Sequence, residues 1–166
     1  GGVALFSAWQ PLKYAINKNV QFAAHLPIYP PCIVVPEILD FGLAPIHILI
    51  GELDNWTPAK ACLDLVNKLN QKNIKITIYP DAHHSFDSNV QISKKQNGYI
   101  LEDCRFIMNN QGAVLMNFFN IPMTTPLLQK IGLSMCARRG PVFGQNIQAK
   151  NKSLLFAREF MNKYLN

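Results

Sequence analysis

The sequence predicts an α/β fold built on a parallel sheet. Residues 45–51 (PIHILIG) form a continuous apolar run rich in isoleucine, which is typical of a strand buried on both faces of such a sheet. Residues 74–80 (IKITIYP) form a second strand-like run, and the segment between the two runs has helical periodicity. A strand–helix–strand unit favours a right-handed crossover, which makes its two strands parallel.

Length and composition are those of a globular domain. The chain has 166 residues, of which 49% are hydrophobic and 16% are charged, with a formal net charge of +6. Basic doublets stand only at 94–95 and 138–139, so the charge pattern does not predict a nucleic-acid surface. The apolar run 113–123 is interrupted by asparagines and a proline and is shorter than the roughly 20 residues of a membrane span. We expect neither a nucleic acid nor a membrane as partner.

The elements before the first buried strand are a helix and a strand. Residues 2–10 predict a helix that stops at Pro11, because proline disrupts a helix interior. Residues 20–29 contain a strand that the following proline pair ends. In the next helix, Thr57 is a candidate N-cap and Pro58 occupies the first helical position, where its missing N–H costs no hydrogen bond. Apolar residues recur along that helix at i, i+3, i+4 and i+7 from position 62, which predicts one buried face.

The pattern weakens over residues 87–152, which contain several glycines and prolines. Because a long structureless segment is uncommon in a compact domain, we expect short helices and an inserted cap there. Residues 153–165 predict a closing amphipathic helix. Its expected buried face consists of Leu154, Ala157, Phe160, Met161 and Tyr164.

The cysteines leave the compartment undecided. None of the four stands in a C-x-x-C pair, so no zinc site is expected. Two disulfides would indicate an oxidising compartment, periplasmic or secreted, whereas free thiols such as a buried Cys62 would fit the cytoplasm. The chain does not begin with methionine, so the lack of a visible signal peptide decides nothing.

Titratable residues follow both strands of the central unit. Glu52 and Asp54 come after the first strand, and His83 and His84 come after the second. Functional groups collect beyond the carboxyl ends of parallel strands. Because adjacent parallel strands end at the same edge of a sheet, we expect these two loops to lie side by side. A carboxylate that orients a histidine is the Asp–His part of a hydrolytic triad.

Two other interpretations compete with the triad. Asp54 can simply start a turn while both histidines are solvated, and spacing alone favours that interpretation. A metal site is less favoured, because adjacent histidines seldom point to one ion and no other ligand cluster lies nearby.

The order of these residues resembles the dienelactone hydrolase family of α/β-hydrolases. The matching stretches are PIHILIGELDNWTP (45–58) and IKITIYPDAHHSFD (74–87). In that family, a strand ending in G-x-x-D supplies the triad acid and a strand ending in Y-P-x-A-x-H-x-F supplies the triad histidine. The resemblance assigns these roles to Asp54 and His84, and it places His83 on a variable position.

The resemblance extends to the opening glycines. Such hydrolases carry the nucleophile in G-x-[SC]-x-G-G, on a sharp turn between a strand and a helix. Gly1 and Gly2 align with the last two glycines of that elbow, so the nucleophile and half of the oxyanion hole would precede this chain. Ser7 is no substitute, because it lacks flanking glycines and lies inside the predicted helix.

The fold that the resemblance implies is the C-terminal part of an α/β-hydrolase, with a parallel sheet flanked by helices. Residues 1–166 would then be a partial domain, with 87–152 as an insertion or cap and 153–165 as the closing helix. The expected disulfides are Cys32–Cys62 and Cys104–Cys136.

The reaction that the resemblance implies is hydrolysis of an ester, lactone or related acyl bond in a small molecule, with no metal or organic cofactor. Trp56 and His83 are candidate substrate-binding residues, although packing is an equally good role for Trp56. The chain as given is expected to be inactive. The competing hypothesis is a non-catalytic α/β-hydrolase-like protein with a binding or regulatory role, in which Asp54 and His84 only stabilise their loops. The oligomeric state is not predicted.

Overall fold

A computed structural model describes residues 1–165, which form helices and mostly short strands. The helices in this range are α1 (Gly2–Phe6), α2 (Gln10–Asn17), α3 (Ala59–Leu69), α4 (Pro126–Ser134) and α5 (Ile147–Leu165). The strands are β1 (Val34–Pro36), β2 (Ile46–Gly51), β3 (Ile74–Tyr79), β4 (Ser93–Lys94), β5 (Tyr99–Ile100), β6 (Phe106–Met108), β7 (Val114–Leu115), β8 (Arg138–Arg139) and β9 (Val142–Phe143).

The centre of the fold is the parallel pair β2–β3, which α3 connects as the strand–helix–strand pattern predicts. Two parallel bridges attach His25 and Ile28 to the other edge of β2. The strand predicted within 20–29 is present only as these bridges. We call the bridged segment 25–28 the third strand row, beside β2 and β3. All three rows run in one direction, so the loops that follow them emerge at one edge of the sheet.

The side chains of β2 alternate between two apolar clusters. Ile48 and Ile50 are fully buried with Leu65 of α3 in the larger cluster. Leu49 points to the opposite face, where it joins Ala149 of α5. Burial of each large aliphatic side chain contributes roughly 1.5–3 kcal/mol, so β2 is anchored on both faces.

The segment 87–152 is made mainly of short strand pairs rather than of the expected short helices, with α4 as its one helix before α5 within the described range. β6 pairs in parallel with β1 and antiparallel with β7, β4 pairs with β9, and β5 pairs with β8. The β6–β7 turn is closed by Asn109, whose side chain accepts from the N–H groups of Gln111 and Ala113. Because β1 precedes this segment in the chain, the β1–β6 pair attaches the segment to the rest of the fold.

Two disulfides cross-link the described chain. Cys32–Cys62 joins the loop before β1 to α3, and Cys104–Cys136 joins the loop before β6 to the turn after α4. They close loops with sequence separations of 30 and 32 residues. Cross-links over such loops stabilise a fold by roughly 3–4 kcal/mol each in the loop-entropy account. Within residues 1–165, no helix has both the length and the apolar character needed to cross a bilayer.

Two helix boundaries near the N-terminal half differ from the sequence prediction. The first helix ends at Phe6, and Pro11 lies in the first turn of α2 instead of ending a helix. Proline is accepted there because its missing N–H has no intrahelical partner to lose. The N-cap of α3 is Pro58 and not Thr57, whose hydroxyl has other partners.

The closing helix also differs from its prediction. α5 begins at Ile147, before the expected start at 153, because the Asn146 side chain accepts a hydrogen bond from the Ala149 N–H and caps the helix. Leu154 is 58% exposed and Met161 is 37% exposed, so neither belongs to the buried face. That face instead runs through Ala149, Ser153, Phe156 and Phe160.

Candidate active site

The loops that follow β2 and β3 bring Asp54 and His84 together. Oδ2 of Asp54 lies 2.8 Å from Nδ1 of His84. The Asp54 side chain is fully buried, and that of His84 is 15% exposed. The carboxylate therefore engages one imidazole nitrogen and leaves Nε2 for a reacting group, as in an Asp–His pair of a hydrolase.

Gly51 permits the two loops to approach each other. A β carbon on this residue would lie 2.2 Å from the carbonyl oxygen of Ala82 and 2.9 Å from that of His83. The N–H of Leu53 donates to the same Ala82 carbonyl over 2.9 Å. The glycine of the G-x-x-D motif thus has a steric cause, because any side chain would push the histidine loop away.

Hydrogen bonds hold both oxygens of Asp54. Oδ1 accepts from the backbone N–H groups of Trp56 and Thr57 at 2.9 and 2.8 Å. Oδ2 accepts from the Thr57 hydroxyl at 2.9 Å and also faces His84. A buried carboxylate requires such donors, so the turn at 54–57 fixes the position of the acid.

Aromatic rings flank the His84 imidazole. The ring centroids of Tyr29 and Trp56 lie 4.4 and 5.0 Å from that of His84. Phe143 packs edge-on against Trp56 at 6.3 Å, and the N–H of Gly144 donates to the His84 carbonyl at 2.9 Å. The segment that contains β9 therefore forms one wall of the site.

Tyr29 connects the third strand row to the site. Its hydroxyl donates to Oδ1 of Asp87 at 3.3 Å, and its carbonyl oxygen lies 3.2 Å from Oγ1 of Thr57. Burial, followed by the negative charge of Asp87, raises the pKa of Tyr29, so the phenol is a neutral donor near pH 7. Its backbone has a φ of 40°, in the left-handed region that non-glycine residues rarely adopt.

His83 and Glu52 do not take part in the Asp–His contact. Nδ1 of His83 lies 3.1 Å from the carbonyl oxygen of Leu53. The Glu52 carboxylate accepts from the N–H of Asp81 at 3.2 Å. The two adjacent histidines thus have different partners.

Gly1 packs against the third strand row, close to the site. A β carbon on Gly1 would lie 2.3 Å from the carbonyl oxygen of Ile28. The next residue, Tyr29, contacts His84, so Gly1 lies at the same sheet edge as the imidazole. α1 begins at Gly2.

Comparison with known protein families gave a match that covers more than half of the chain. The family model of the dienelactone hydrolase family matches residues 11–103, which include Gly51, Asp54 and His84. This chain belongs to the dienelactone hydrolase family. A search of curated proteins and a search of solved structures each gave no match. Family membership supports the α/β-hydrolase fold, hydrolase activity in a broad sense and a small-molecule substrate.

Ser7 and the cysteines of this dienelactone hydrolase family member have partners away from His84 within the described residues. Ser7 donates to the Ala4 carbonyl and lies 3.0 Å from Nδ1 of His25, a different histidine. The cysteines of residues 1–165 are all in disulfides. In the same range, the polar side chains that bond to the His84 imidazole are those of Asp54 and Thr57.

The sequence of this dienelactone hydrolase family member did not identify two residues of the site, Thr57 and Tyr29. Thr57 carried a helix-capping signal that concealed its contact with the acid, three residues earlier. Tyr29 was assigned only to the end of a strand. Its position beyond the carboxyl end of a row parallel to β2 is the signal that could have identified it.

Proposed function

We propose that this protein is the acid- and histidine-bearing part of a hydrolase that cleaves an ester, lactone or related acyl bond. The observation that carries the proposal is the 2.8 Å contact between Oδ2 of Asp54 and Nδ1 of His84. In the proposed reaction, Nε2 of His84 takes the proton of a Ser or Cys nucleophile and returns it to the leaving group. Asp54 orients the imidazole and stabilises its cation.

The proposed nucleophile stands two residues ahead of Gly1, in the elbow motif of the family. The contact of Gly1 with the Ile28 backbone supports this position, since a larger residue would not fit beside the strand row that ends at Tyr29. The engagement of Ser7 with His25 supports it too. The chain as given is therefore proposed to lack turnover through an acyl-enzyme.

The proposed fold is a partial α/β-hydrolase domain, with parallel rows between α3 and α5 and with 87–152 as an insertion beside the site. Packing of α3 and α5 on opposite faces of β2 supports this arrangement. The contact of Phe143 with Trp56 supports a role of the insertion in the site wall. We assign Trp56, whose ring lies beside that of His84, and His83, which faces a backbone carbonyl, to substrate binding.

The proposed location is an oxidising compartment, such as the periplasm or the exterior of the cell. Two disulfides among the described residues support it, because reducing compartments seldom retain structural disulfides.

The test of the proposed function is hydrolysis of a p-nitrophenyl ester. Reading the codons ahead of Gly1 defines a longer protein, which is expected to contain G-x-S-x or G-x-C-x there and to release p-nitrophenol with a burst. In that protein, His84→Ala should lower kcat by roughly 10²- to 10⁴-fold, because the general base is lost. His83→Ala is the matched control and should retain most of the activity.

Three results would contradict the proposal in different ways. Equal activity of the short and long proteins would remove the need for a preceding nucleophile. A larger loss from His83→Ala than from His84→Ala would transfer the role to the other histidine. An inactive long protein would favour the non-catalytic alternative.

A further inference from the structure

The Thr57 hydroxyl lies where Asp54 and His84 meet. Its Oγ1 is 2.9 Å from Oδ2 of Asp54 and 3.1 Å from Nδ1 of His84. A third neighbour is the carbonyl oxygen of Tyr29, at 3.2 Å. Thr57 is 8% exposed, so little solvent competes for these contacts. One hydroxyl therefore touches both members of the pair.

A single hydrogen limits how the hydroxyl makes these contacts. If Thr57 donates it to Asp54, then Oδ2 has two donors, the hydroxyl and the imidazole. If Thr57 donates it to the Tyr29 carbonyl, Oδ2 keeps the imidazole alone. In both arrangements a lone pair of Oγ1 remains beside Nδ1 of His84. Donation to an unprotonated Nδ1 instead would leave Oδ2 of Asp54 facing that nitrogen at 2.8 Å with no hydrogen between them. The favoured tautomer therefore carries its hydrogen on Nδ1, where it bonds to Oδ2 and lies beside the Oγ1 lone pair.

The hydroxyl has no role in helix capping. α3 lies within the described range, its N-cap is Pro58, and no side chain caps it. The backbone N–H of Thr57 is already bonded to Oδ1 of Asp54. The side-chain hydroxyl is thus directed to the Asp–His pair and to the strand end at Tyr29. The turn at 54–57 uses the backbone N–H of Thr57, so a substitution of the side chain tests the hydroxyl alone.

We propose that Thr57 is a positioning residue of the triad, which holds the Asp54 carboxylate and the Nδ1–H tautomer of His84 so that Nε2 faces the nucleophile. The inference rests on the proposed function, because it concerns the same histidine. Thr57 acts through Asp54 and His84 and does not touch the substrate. The location of the imidazole hydrogen, however, is measurable without any reaction.

The first experiment measures that hydrogen in the 166-residue protein. Long-range ¹H–¹⁵N correlation spectra report which imidazole nitrogen is protonated, and His84→Gln identifies the His84 signals. The wild type and Thr57→Ser should both give a downfield Nδ1–H signal that exchanges slowly with water. Thr57→Val, which keeps the shape and removes the hydroxyl, should move that signal upfield and speed its exchange, or populate the Nε2–H tautomer.

Two results would overturn the inference at this stage. An unchanged Nδ1–H signal in Thr57→Val would show that Asp54 alone fixes the tautomer. Thr57→Ala repeats the comparison if the valine substitution prevents folding. Failure of both variants to fold, with Thr57→Ser folded, would assign the hydroxyl to stability and would equally overturn a positioning role.

The second experiment uses the longer protein that contains the segment ahead of Gly1. Thr57→Val should lower kcat by roughly 10- to 100-fold, which is the effect of one hydrogen bond to a charged group, and should leave KM within about threefold. Thr57→Ser should restore most of kcat. A change confined to KM would contradict the inference. If the longer protein has no esterase activity, the proposed function fails, whereas the spectra of the shorter protein still decide the role of Thr57.

Discussion

At the residue scale, the site depends on how closely two backbones approach. The carbonyl oxygen of Ala82 occupies the space that a Gly51 side chain would fill, and it also accepts from the N–H of Leu53. The acid therefore follows its strand by three residues and still meets the histidine loop. The G-x-x-D spacing thus has a physical basis in the approach of the two loops, in addition to its value as a family motif.

Substitution Gly51→Ala is expected to destabilise the protein by about 1–3 kcal/mol, because the added carbon would overlap backbone atoms that cannot rotate away. The loops should separate, and the Nδ1–H signal of His84 should lose its downfield position. Gly2→Ala is the matched control, since its β carbon would meet only Pro31, at 3.4 Å. Urea denaturation measures both variants. A Gly51→Ala protein as stable as Gly2→Ala would show that the loops adapt.

Sequence reasoning reached part of this site and not the rest. Asp54 and His84 could be named because each follows a buried strand at a spacing that a family motif shares. Residue spacing alone favoured solvated loop residues, since it contains no information on the approach that Gly51 permits. The position of Tyr29 at the end of a parallel row was a usable signal, whereas the contact between the Thr57 hydroxyl and the Tyr29 carbonyl forms only after folding and leaves no sequence pattern.

At the element scale, the pattern of apolar residues predicted those helices and strands that bury at least one whole face. β2, β3 and α3 are close to their predicted bounds, because continuous apolar runs and one apolar helix face mark them. The closing helix was found, but its buried face was misplaced. α5 carries apolar side chains on several of its own faces, so the sequence pattern does not distinguish Leu154 from Phe160. In the folded protein, packing against β2 buries Phe160 and leaves Leu154 exposed.

The strand pairs of segment 87–152 could not be predicted, since strands of two or three residues are too short to show a period. Their partners are distant in the chain, as in the pairing of Val34–Pro36 with Phe106–Met108. The β6–β7 hairpin is an exception. Its turn sequence NNQG, at 109–112, ends in a glycine with a φ of 83° and is a recognisable hairpin signal.

Asn146→Ala is expected to lower the free energy of unfolding by about 1 kcal/mol, the usual effect of losing an N-cap. The side chain caps α5 through the Ala149 N–H and also donates to the Asp81 carbonyl at 3.0 Å, so it joins the helix to the histidine loop. Gln148→Ala, at an exposed position of the first turn, is the matched control. Thermal denaturation followed by circular dichroism compares them. Equal midpoints would show that α5 does not depend on this cap.

At the scale of the whole molecule, the segment 87–152 and the central strands meet at the acid loop. The Asn55 side chain accepts from the N–H of Val142 at 3.0 Å, and its carbonyl accepts from the N–H of Leu101 at 2.9 Å. Residue Asn55 directly follows Asp54, so the segment is bonded to the turn that positions the carboxylate. Rearrangement of the segment would therefore move the wall of the site. The geometry of the site thus depends on how segment 87–152 packs against the central strands.

A buried histidine, His25, and a half-buried one, His47, should make the stability of the whole molecule depend on pH. Burial lowers the pKa of His25, which is 6% exposed and lies 3.0 Å from the Ser7 hydroxyl. Burial, and then the positive charge of Lys75, lowers the pKa of His47, whose Nε2 lies 2.8 Å from the Thr77 hydroxyl. The folded protein therefore binds protons less readily at both imidazoles than the unfolded chain does.

The free energy of unfolding should consequently fall as the pH is lowered. The stabilisation is fully present above the unfolded-state pKa of about 6.5 and is lost as the pH falls from there through the folded-state values, since the unfolded chain takes up protons first. Urea denaturation between pH 7.5 and pH 5 measures this slope. The double variant His25→Gln, His47→Gln should have a shallower slope than the wild type, because it lacks both groups. Parallel profiles of the two proteins would assign the acid sensitivity to other residues, and would mean that protonation of His25 and His47 leaves the packing around β2 intact.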